Sequence, residues 1–151
     1  MDSKRQLICN KVDTRLKTIL IANGYNTDLG KNVFEWRDNP IDESELPALG
    51  WRDVSEDDSN ASTGTIGYHN HVLTMEFKVA TAKGKTTARE IRALLADVIK
   101  AIAVDQTWDK LAIRTDPVSN EMQVEEAETI IGGVTITLTI TYQTKKWNPY
   151  E

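Results

Sequence analysis

The sequence predicts an α+β fold in which a central mixed, mostly antiparallel sheet carries two amphipathic helices on one face. Two segments repeat apolar residues at helical spacing, and several others alternate apolar and polar residues as half-buried strands do. The segments follow the order helix, strands, helix, strands, and short connections between strands favour antiparallel pairing. Because each helix has one apolar stripe, we expect both helices to cover the same face of the sheet. The other face is then left to solvent or to another chain.

Length and composition indicate one soluble globular domain spanning residues 1–151. The 151 residues are 40% hydrophobic and 27% charged, with a net charge of −5 from 18 basic and 23 acidic side chains. The basic residues are dispersed, which argues against a dedicated nucleic-acid binder because such affinity depends on neutralising phosphates. No apolar run approaches the roughly 18 residues of a membrane helix, and the N-terminal sequence MDSKRQLICNKVD is too charged for a secretion signal. We therefore expect a cytoplasmic protein without membrane contact.

The first helix is predicted for residues 4–22. Ser3 and Gln6 have the spacing of a capping box, and Gly24 supplies a stop signal. Cys9 lies within the apolar pattern and is predicted to be a small buried residue rather than a nucleophile. The apolar stripe consists of Ile8, Val12, Leu16, Ile19 and Leu20.

Two strands and an acidic loop are predicted next. NVFEW (32–36) and PALGWRDV (47–54) are rich in strand-forming residues, whereas the prolines and acids between them are unfavourable in a strand. Residues 53–67 combine acidic, small polar and glycine residues, so we predict a mobile loop there. The acidic side chains that we single out in this loop are Asp53, Glu56, Asp57 and Asp58.

A further strand and the clearest helix of the sequence follow. YHNHVLTMEFKVAT (68–81) alternates apolar and polar residues and is predicted to be a strand with one covered face. Thr87 and Glu90 have a second capping-box spacing, ahead of an apolar stripe wide enough to lie on a sheet. The apolar positions are Leu73, Met75, Phe77 and Val79 in the strand and Ile91, Leu94, Leu95, Val98, Ile99 and Ile102 in the helix.

The C-terminal third supplies the remaining strands. A short strand is predicted at 111–114, ended by Asp116 and Pro117. One or two strands are predicted within 123–144, with Gly132 and Gly133 as a turn or a bulge between them.

The last strand separates its two faces cleanly. Between positions 134 and 142 apolar residues alternate with threonine, so the apolar side is predicted to face the helices. The threonines then lie on the uncovered face, where they suit either water or contact with another chain. Trp147 and Tyr150 extend past the strand as candidate contact anchors, with folding back onto their own subunit as the alternative. The threonines are Thr135, Thr137, Thr139 and Thr141.

The sequence supports no catalytic, metal or cofactor site. GGVTIT lacks the lysine and the helix start of a phosphate-binding loop, and SEDDSN lacks the spacing of a calcium loop. His69 and His71 share one face of a strand and could share a metal ion, but no cysteine pair or suitably spaced acid accompanies them. We therefore predict a structural role for the histidines, no metal, no cofactor and no enzymatic activity. These expectations favour a protein that binds other proteins.

Four segments together resemble a known family. They are the N-terminal amphipathic helix, LPALGWRDV with the acidic stretch after it, HVLTMEFKVAT running into TTAREIRALLADVIKAI, and the closing GGVTITLTITYQTKKWNPY. In order and spacing they resemble the tail terminator proteins of tailed phages, of which the lambda-like minor tail protein U family is the best-known type. The resemblance covers nearly the whole chain and includes no catalytic motif, so it transfers a role and no individual site residue.

The resemblance implies a mixed α/β fold and a homohexameric ring that caps the tail tube, stops its polymerisation and presents a surface for head–tail joining. The expected partners are further copies of the chain, the tail tube protein and a head-completion protein, and the expected location is the head-proximal end of the virion tail. DNA would pass through the ring without sequence-specific binding. The acidic side chains at 53–58 are then candidates for a lumen that repels DNA, although solubility explains them equally well.

Three alternatives stay open at this point. The first is another head–tail connector or tail-completion protein of similar size. The second is a small α+β enzyme that uses the histidine pair and the acidic residues, and the third is a ligand-binding domain.

Overall fold

The computed structural model describes residues 1–61, 64, 66–126 and 130–151, which contain two α-helices and five strands. The five strands form one sheet, with the first strand parallel to the second and the other neighbouring pairs antiparallel. The α+β fold with a mixed, mostly antiparallel sheet is therefore confirmed. Within the described ranges no helix is long and apolar enough to cross a membrane. The elements are α1 (Lys4–Leu16), β1 (Val33–Glu35), β2 (Ala48–Asn60), β3 (Tyr68–Thr81), α2 (Thr87–Ala103), β4 (Arg114–Glu126) and β5 (Ile130–Lys145), and the strand order is β1-β2-β3-β5-β4.

The core lies between the two helices and the inward faces of β3 and β5. The inward residues of these strands stand opposite one another, with Leu73 beside Ile140 and Met75 beside Leu138. Both helices bury most of their predicted apolar stripes against them, and Cys9 of α1 is buried among them. Burial raises the pKa of the Cys9 thiol to about 12, so the thiol stays protonated near neutral pH. The helix residues in this core include Ile8, Val12 and Leu16 of α1 and Ile91, Leu94 and Val98 of α2. Ile99 of the predicted α2 stripe is instead exposed, and Leu95 and Ile102 are only partly buried, because they lie at the margin of the sheet beside β4.

Helix α1 ends at Leu16, six residues before the predicted end at Ala22. The Thr18 hydroxyl donates to the Arg15 carbonyl (2.6 Å), a local bond that competes with continued helix. The Ile19 carbonyl accepts instead from the Gly30 amide (2.8 Å), so a crossing segment occupies the place of the next turn. At the other end of α1 the predicted cap forms in part: Ser3 Oγ accepts from the Gln6 amide, while the Gln6 side chain donates to Asn10.

The predicted capping box of α2 is wrong. Thr87 is the first helical residue rather than the cap, and its hydroxyl donates to the Gly84 carbonyl (2.8 Å) and accepts from the Lys83 amide (3.0 Å). A short 3-10 turn at Gly84–Thr86 precedes the helix and brings these groups to the hydroxyl.

The predicted acidic loop is also wrong over residues 53–60, which continue β2 and pair with β3. Aspartate, serine and asparagine are poor strand formers alone, but a partner strand with good alternation overrides that preference. Positions 62, 63 and 65 of the predicted loop lie outside the described residues. The acidic segment is therefore an ordered part of the sheet up to Asn60.

Two features of the C-terminal strands depart from the prediction. Strand β4 begins where the predicted short strand ends and continues through Pro117, because an edge strand with a bulge beside the proline does not need its amide. Gly132 and Gly133 form neither a turn nor a bulge but lie inside β5. A Cβ on Gly133 would lie 2.6 Å from the Val79 carbonyl oxygen, and one on Gly132 would lie 2.6 Å from Ile91 Cδ1. The glycines thus allow close approach of β3 and α2.

A buried carboxylate ties α2 to the connection that follows α1. Asp97 is almost fully buried and accepts hydrogen bonds from the backbone amides of Asn26 (3.1 Å) and Thr27 (2.8 Å). The Thr27 hydroxyl (2.7 Å) and the Asn26 side-chain amide (3.2 Å) complete the set of donors. These bonds compensate the free-energy cost of burying a charged group.

The connection from α2 to β4 contains a left-handed turn held by Asp105. Trp108, Asp109 and Lys110 have φ angles of 52°, 60° and 67°, which are unfavourable for residues other than glycine. The Asp105 carboxylate accepts from the Thr107 hydroxyl (2.6 Å) and from the amides of Asp109 (2.7 Å) and Thr107 (2.8 Å). These hydrogen bonds lower the pKa of Asp105 to about 2.

We expect Asp97→Ala to lower the free energy of unfolding by about 2–4 kcal/mol, because it leaves several buried donors without an acceptor. Asp97→Asn should lower the free energy of unfolding by less than Asp97→Ala does, because one acceptor oxygen remains. Urea unfolding followed by circular dichroism measures the change. Arg92→Ala, at an exposed position of the same helix, is the matched control and should stay within about 0.5 kcal/mol of the wild type. A loss in Asp97→Ala no larger than in this control would contradict the role of Asp97.

We expect Asp105→Asn to remove part of the acid sensitivity of the protein. The unfolded-state pKa of aspartate is about 3.9, whereas the folded-state pKa is about 2. Ionised Asp105 therefore stabilises the fold above about pH 4, and this contribution is lost as the pH falls through about 2. Urea unfolding across this range should show a smaller decrease in the variant. Asp38→Asn, which removes an exposed carboxylate, should keep the wild-type decrease, and an identical decrease in Asp105→Asn would refute the prediction.

Candidate functional site

A bulge in β2 changes which side chains face the helices. Before it, Asp53 stands opposite the buried Met75, and after it, Glu56 stands opposite the buried Leu73. The register shift lies between Asp53 and Ser55, so one extra residue reverses the alternation. Asp58, two residues after Glu56, also faces the helix side of the sheet. Asp57 lies between them and faces the opposite side.

The bulge brings two carboxylates to a histidine on the neighbouring strand. His71 Nδ1 lies 2.5 Å from Asp58 Oδ1 and 3.6 Å from Glu56 Oε2. The other ring nitrogen, Nε2, lies 2.7 Å from Thr144 Oγ1, and the Tyr142 hydroxyl donates a short hydrogen bond to Glu56 Oε1. We call these five residues the polar cluster.

Burial and close contact set the protonation of the polar cluster. Burial raises the pKa of Glu56, and a hydrogen bond shared with the Asp58 carboxyl raises it further. The hydrogen bond with His71 lowers the pKa of Asp58. Burial and the adjacent Glu56 raise the pKa of the Tyr142 hydroxyl, which therefore remains a donor. Arg5 approaches from α1, but its guanidinium is paired with Asp53 at 2.7 Å.

The cluster contains a hydroxyl, an imidazole and a carboxylate in sequence, as nucleophilic enzymes do. The hydroxyl belongs to Thr144, however, which is only 4% exposed and faces the core side of β5. A substrate therefore has little access to it. The more open groups are the carboxylates and His71 Nδ1, whose donor atoms lie within 4.8 Å of one another and could hold a metal ion.

The sequence-based expectation that no acid accompanies the histidines is wrong for His71. Its acids come from β2 and meet it only through strand pairing. Regular alternation from Trp51 would place Glu56 and Asp58 on the sheet face away from His71. The bulge reverses the alternation, so the sequence pattern alone predicts the wrong face for both acids. His69 does share a face with His71, as predicted, but its ring contacts Trp147.

The threonine face lies where the sequence predicts it, on the side of the sheet away from the helices. Each of the four residues is half-buried between β3 and β4. On the neighbouring strand Glu76 pairs with Arg52 at 2.7 Å and with Lys78 at 3.5 Å. The surface is thus polar, and a contact role for Thr135, Thr137, Thr139 and Thr141 stays a prediction.

The sequence leaves two outcomes open for the aromatic tail with Trp147 and Tyr150, exposure to a partner or folding back onto its own subunit, and the structure shows elements of both. Its backbone folds back, since the Lys4 amide donates to the Pro149 carbonyl (2.8 Å) and the Lys145 amide to the Glu151 carbonyl (2.6 Å). The Trp147 side chain nevertheless remains 90% exposed, with one edge against His69 at a centroid distance of 5.1 Å. Tyr150 is also exposed. The tail is therefore anchored while its largest side chain remains open to a partner.

Sequence reasoning missed an apolar surface along β4 and the adjacent side of α2, which we call the β4 surface. Its groove has a volume of about 350 Å³ and is lined by residues that include Leu95, Ile102 and Pro117. The sequence indicates this surface only through the width of the α2 apolar stripe. That stripe is wider than the part of α2 that packs on the sheet, so Ile99 stays exposed. The exposed apolar side chains here are Ile99 and Val118, which line the groove, with Met122 and Val124 further along the helix-facing side of β4.

No protein-family model matches the sequence, and no curated protein sequence matches it.

We expect Trp147→Ala to leave the folded subunit intact. The side chain is exposed, so only its edge contact with His69 is lost, at a cost of at most about 1.5 kcal/mol. Trp108→Ala is the contrasting variant, because Trp108 is 1% exposed and its truncation should cost about 3–5 kcal/mol. Thermal and urea unfolding of both variants tests this. Comparable losses in the two variants would show that Trp147 is needed for the fold rather than available to a partner.

Proposed function

We propose that this protein is a tail terminator, which caps the phage tail tube as a homohexameric ring, stops tube polymerisation and provides the docking surface for head–tail joining. The observation that supports this proposal most is the β4 surface. Exposed apolar side chains that border a groove are typical of a protein–protein interface. The order of the helices and strands resembles that of the terminator family, and from this resemblance we infer which assembly the interface serves.

The two edges of the sheet provide different lateral surfaces. Strand β1 has only three residues, and the connection after it contains a short 3-10 helix at Glu43–Glu45. Strand β4 has thirteen residues, and its outer edge pairs with no strand in the part of the chain that the structure describes. A ring requires a heterologous contact in which one surface meets a different one on the next copy. We therefore assign the β4 surface to one side of that contact.

Other surfaces then have distinct roles. Trp147 and Tyr150 extend from the end of the sheet, where they are positioned to contact the tail tube protein or a head-completion protein. In a ring traversed by DNA, Asp57 would present negative charge, whereas Asp53 is paired with Arg5, Glu56 with Tyr142 and Asp58 with His71. The threonine face is polar and suits a contact formed only on assembly.

We expect Ile99→Glu to prevent ring formation without unfolding the subunit. Ile99 is 52% exposed, so the charge is tolerated by the free subunit but would be buried unpaired in the ring. Size measurement by light scattering, and electron microscopy of tails assembled in extracts that lack the native protein, follow the two effects. Wild type should form six-subunit rings on tubes of uniform length, and Ile99→Glu should leave overlong tubes. Ile21→Glu, at a 59% exposed position that does not line the groove, is the matched control.

The outcomes separate the alternatives. Uniform tails that fail to join heads in the absence of the protein would indicate a connector or tail-completion protein instead. A protein that stays monomeric with isolated tubes would favour an enzyme or a ligand-binding domain. Equal activity of Ile99→Glu and Ile21→Glu would remove the β4 surface from the ring contact.

A further inference from the structure

The polar cluster has a feature that the ring does not use. Three lone-pair donors, Glu56 Oε2, Asp58 Oδ1 and His71 Nδ1, converge within 4.8 Å of one another on the helix side of the sheet. From this convergence we propose that Glu56, Asp58 and His71 bind one Zn²⁺ ion, with solvent in the fourth position. This inference does not depend on the proposed function.

The atoms that do not converge are held by a second layer of side chains. The Tyr142 hydroxyl donates to Glu56 Oε1, which directs Oε2 toward His71. His71 Nε2 lies 2.7 Å from Thr144 Oγ1, so a proton on Nε2 leaves Nδ1 as a lone-pair donor facing the carboxylates. Metal-binding histidines characteristically give their other ring N–H to such an acceptor, which fixes the tautomer and the ring orientation. The two outer hydroxyls therefore orient two of the three ligands, Glu56 and His71, in advance.

Charge balance also favours a cation. Two carboxylates lie against one imidazole here, at 2.5 Å and 3.6 Å from the same ring nitrogen. The Arg5 guanidinium is committed to Asp53. A divalent ion would bring two positive charges to the two carboxylates.

The donor set selects the type of ion. Mg²⁺ and Ca²⁺ prefer six or more oxygen ligands, whereas imidazole with carboxylates suits Zn²⁺. Three protein ligands and one open position form a common tetrahedral zinc arrangement. Asp58 also lines an open cavity of about 240 Å³, together with Ser59, Asn60, His69 and Trp147.

One adjustment is required. Tetrahedral zinc with bonds of about 2.0–2.1 Å separates its ligand atoms by about 3.3 Å. The Glu56–His71 distance of 3.6 Å already fits, and the Asp58–His71 distance of 2.5 Å must lengthen. Asp58 is 54% exposed near the end of β2, so its side chain can rotate outward without disturbing the core.

Zinc titration of the full chain in competition with a chromophoric chelator tests the proposal. One Zn²⁺ per chain is expected, and Glu56→Gln, Asp58→Asn and His71→Gln should each weaken binding at least about 10-fold. Asp57→Asn is the matched control, because Asp57 lies between two of the ligands but on the opposite face, and its affinity should stay within about 2-fold of wild type. Mg²⁺ at the same concentration should not compete.

A measurement on wild type keeps the test independent of variant folding. Nitrogen-15 NMR should show a zinc-dependent change at His71 Nδ1, while Nε2 keeps its proton. Absence of stoichiometric binding, equal affinity in the three ligand variants and Asp57→Asn, equal competition by Mg²⁺, or a change confined to His69 would each overturn the proposal.

Discussion

The pairing of β3 with β5 is the interaction on which the rest of the structure depends. The two strands are in register from Tyr68 beside Lys145 to Thr81 beside Gly132, so their inward side chains form one continuous surface. Its central part is apolar and requires both helices as cover, which determines where α1 and α2 lie. Toward Lys145 the same surface becomes polar, with His71 and Tyr142 side by side. Core and polar cluster are therefore two parts of one paired surface.

The sequence predicts those features of the fold that depend on local periodicity. The alternation in β3 and β5 and the stripe of α2 were sufficient to predict the sheet, its helix-covered face and most of the core. The errors occur where another segment decides the outcome. Residues 53–60 are a strand because β3 pairs with them, Pro117 is tolerated because β4 is an edge, and Gly132 and Gly133 serve contacts from outside their own strand. None of these contacts can be predicted from the spacing of apolar and polar residues within the segment itself, because each depends on a different segment.

The candidate surfaces divide in the same way. Exposure of Trp147 and the position of the threonine face follow from the sequence, because they depend on the alternation of β5 and on where it ends. The polar cluster does not, because Glu56 and Asp58 reach His71 only after the bulge. The β4 surface was missed because apolar residues in a stripe are assigned to the subunit's own core. The β4 surface and the proposed zinc ligands thus occupy separate parts of the sheet, at its free edge and at the end of β2 and β3, and changes in one are expected to leave the other intact.

The bulge near Val54 makes the chemistry of this protein depend on the register of one strand pair as well as on composition. If β2 paired with β3 without the bulge and without a deletion, Val54 would take the place of Ser55 opposite Thr74, so that Ser55, Asp57 and Ser59 would face inward and both acidic ligands outward. No functional residue would be lost, yet the carboxylates would be turned away from His71. Deletion of Val54 itself would instead remove the bulge and leave Glu56 and Asp58 opposite Leu73 and His71, because the pairing after Ser55 is unchanged.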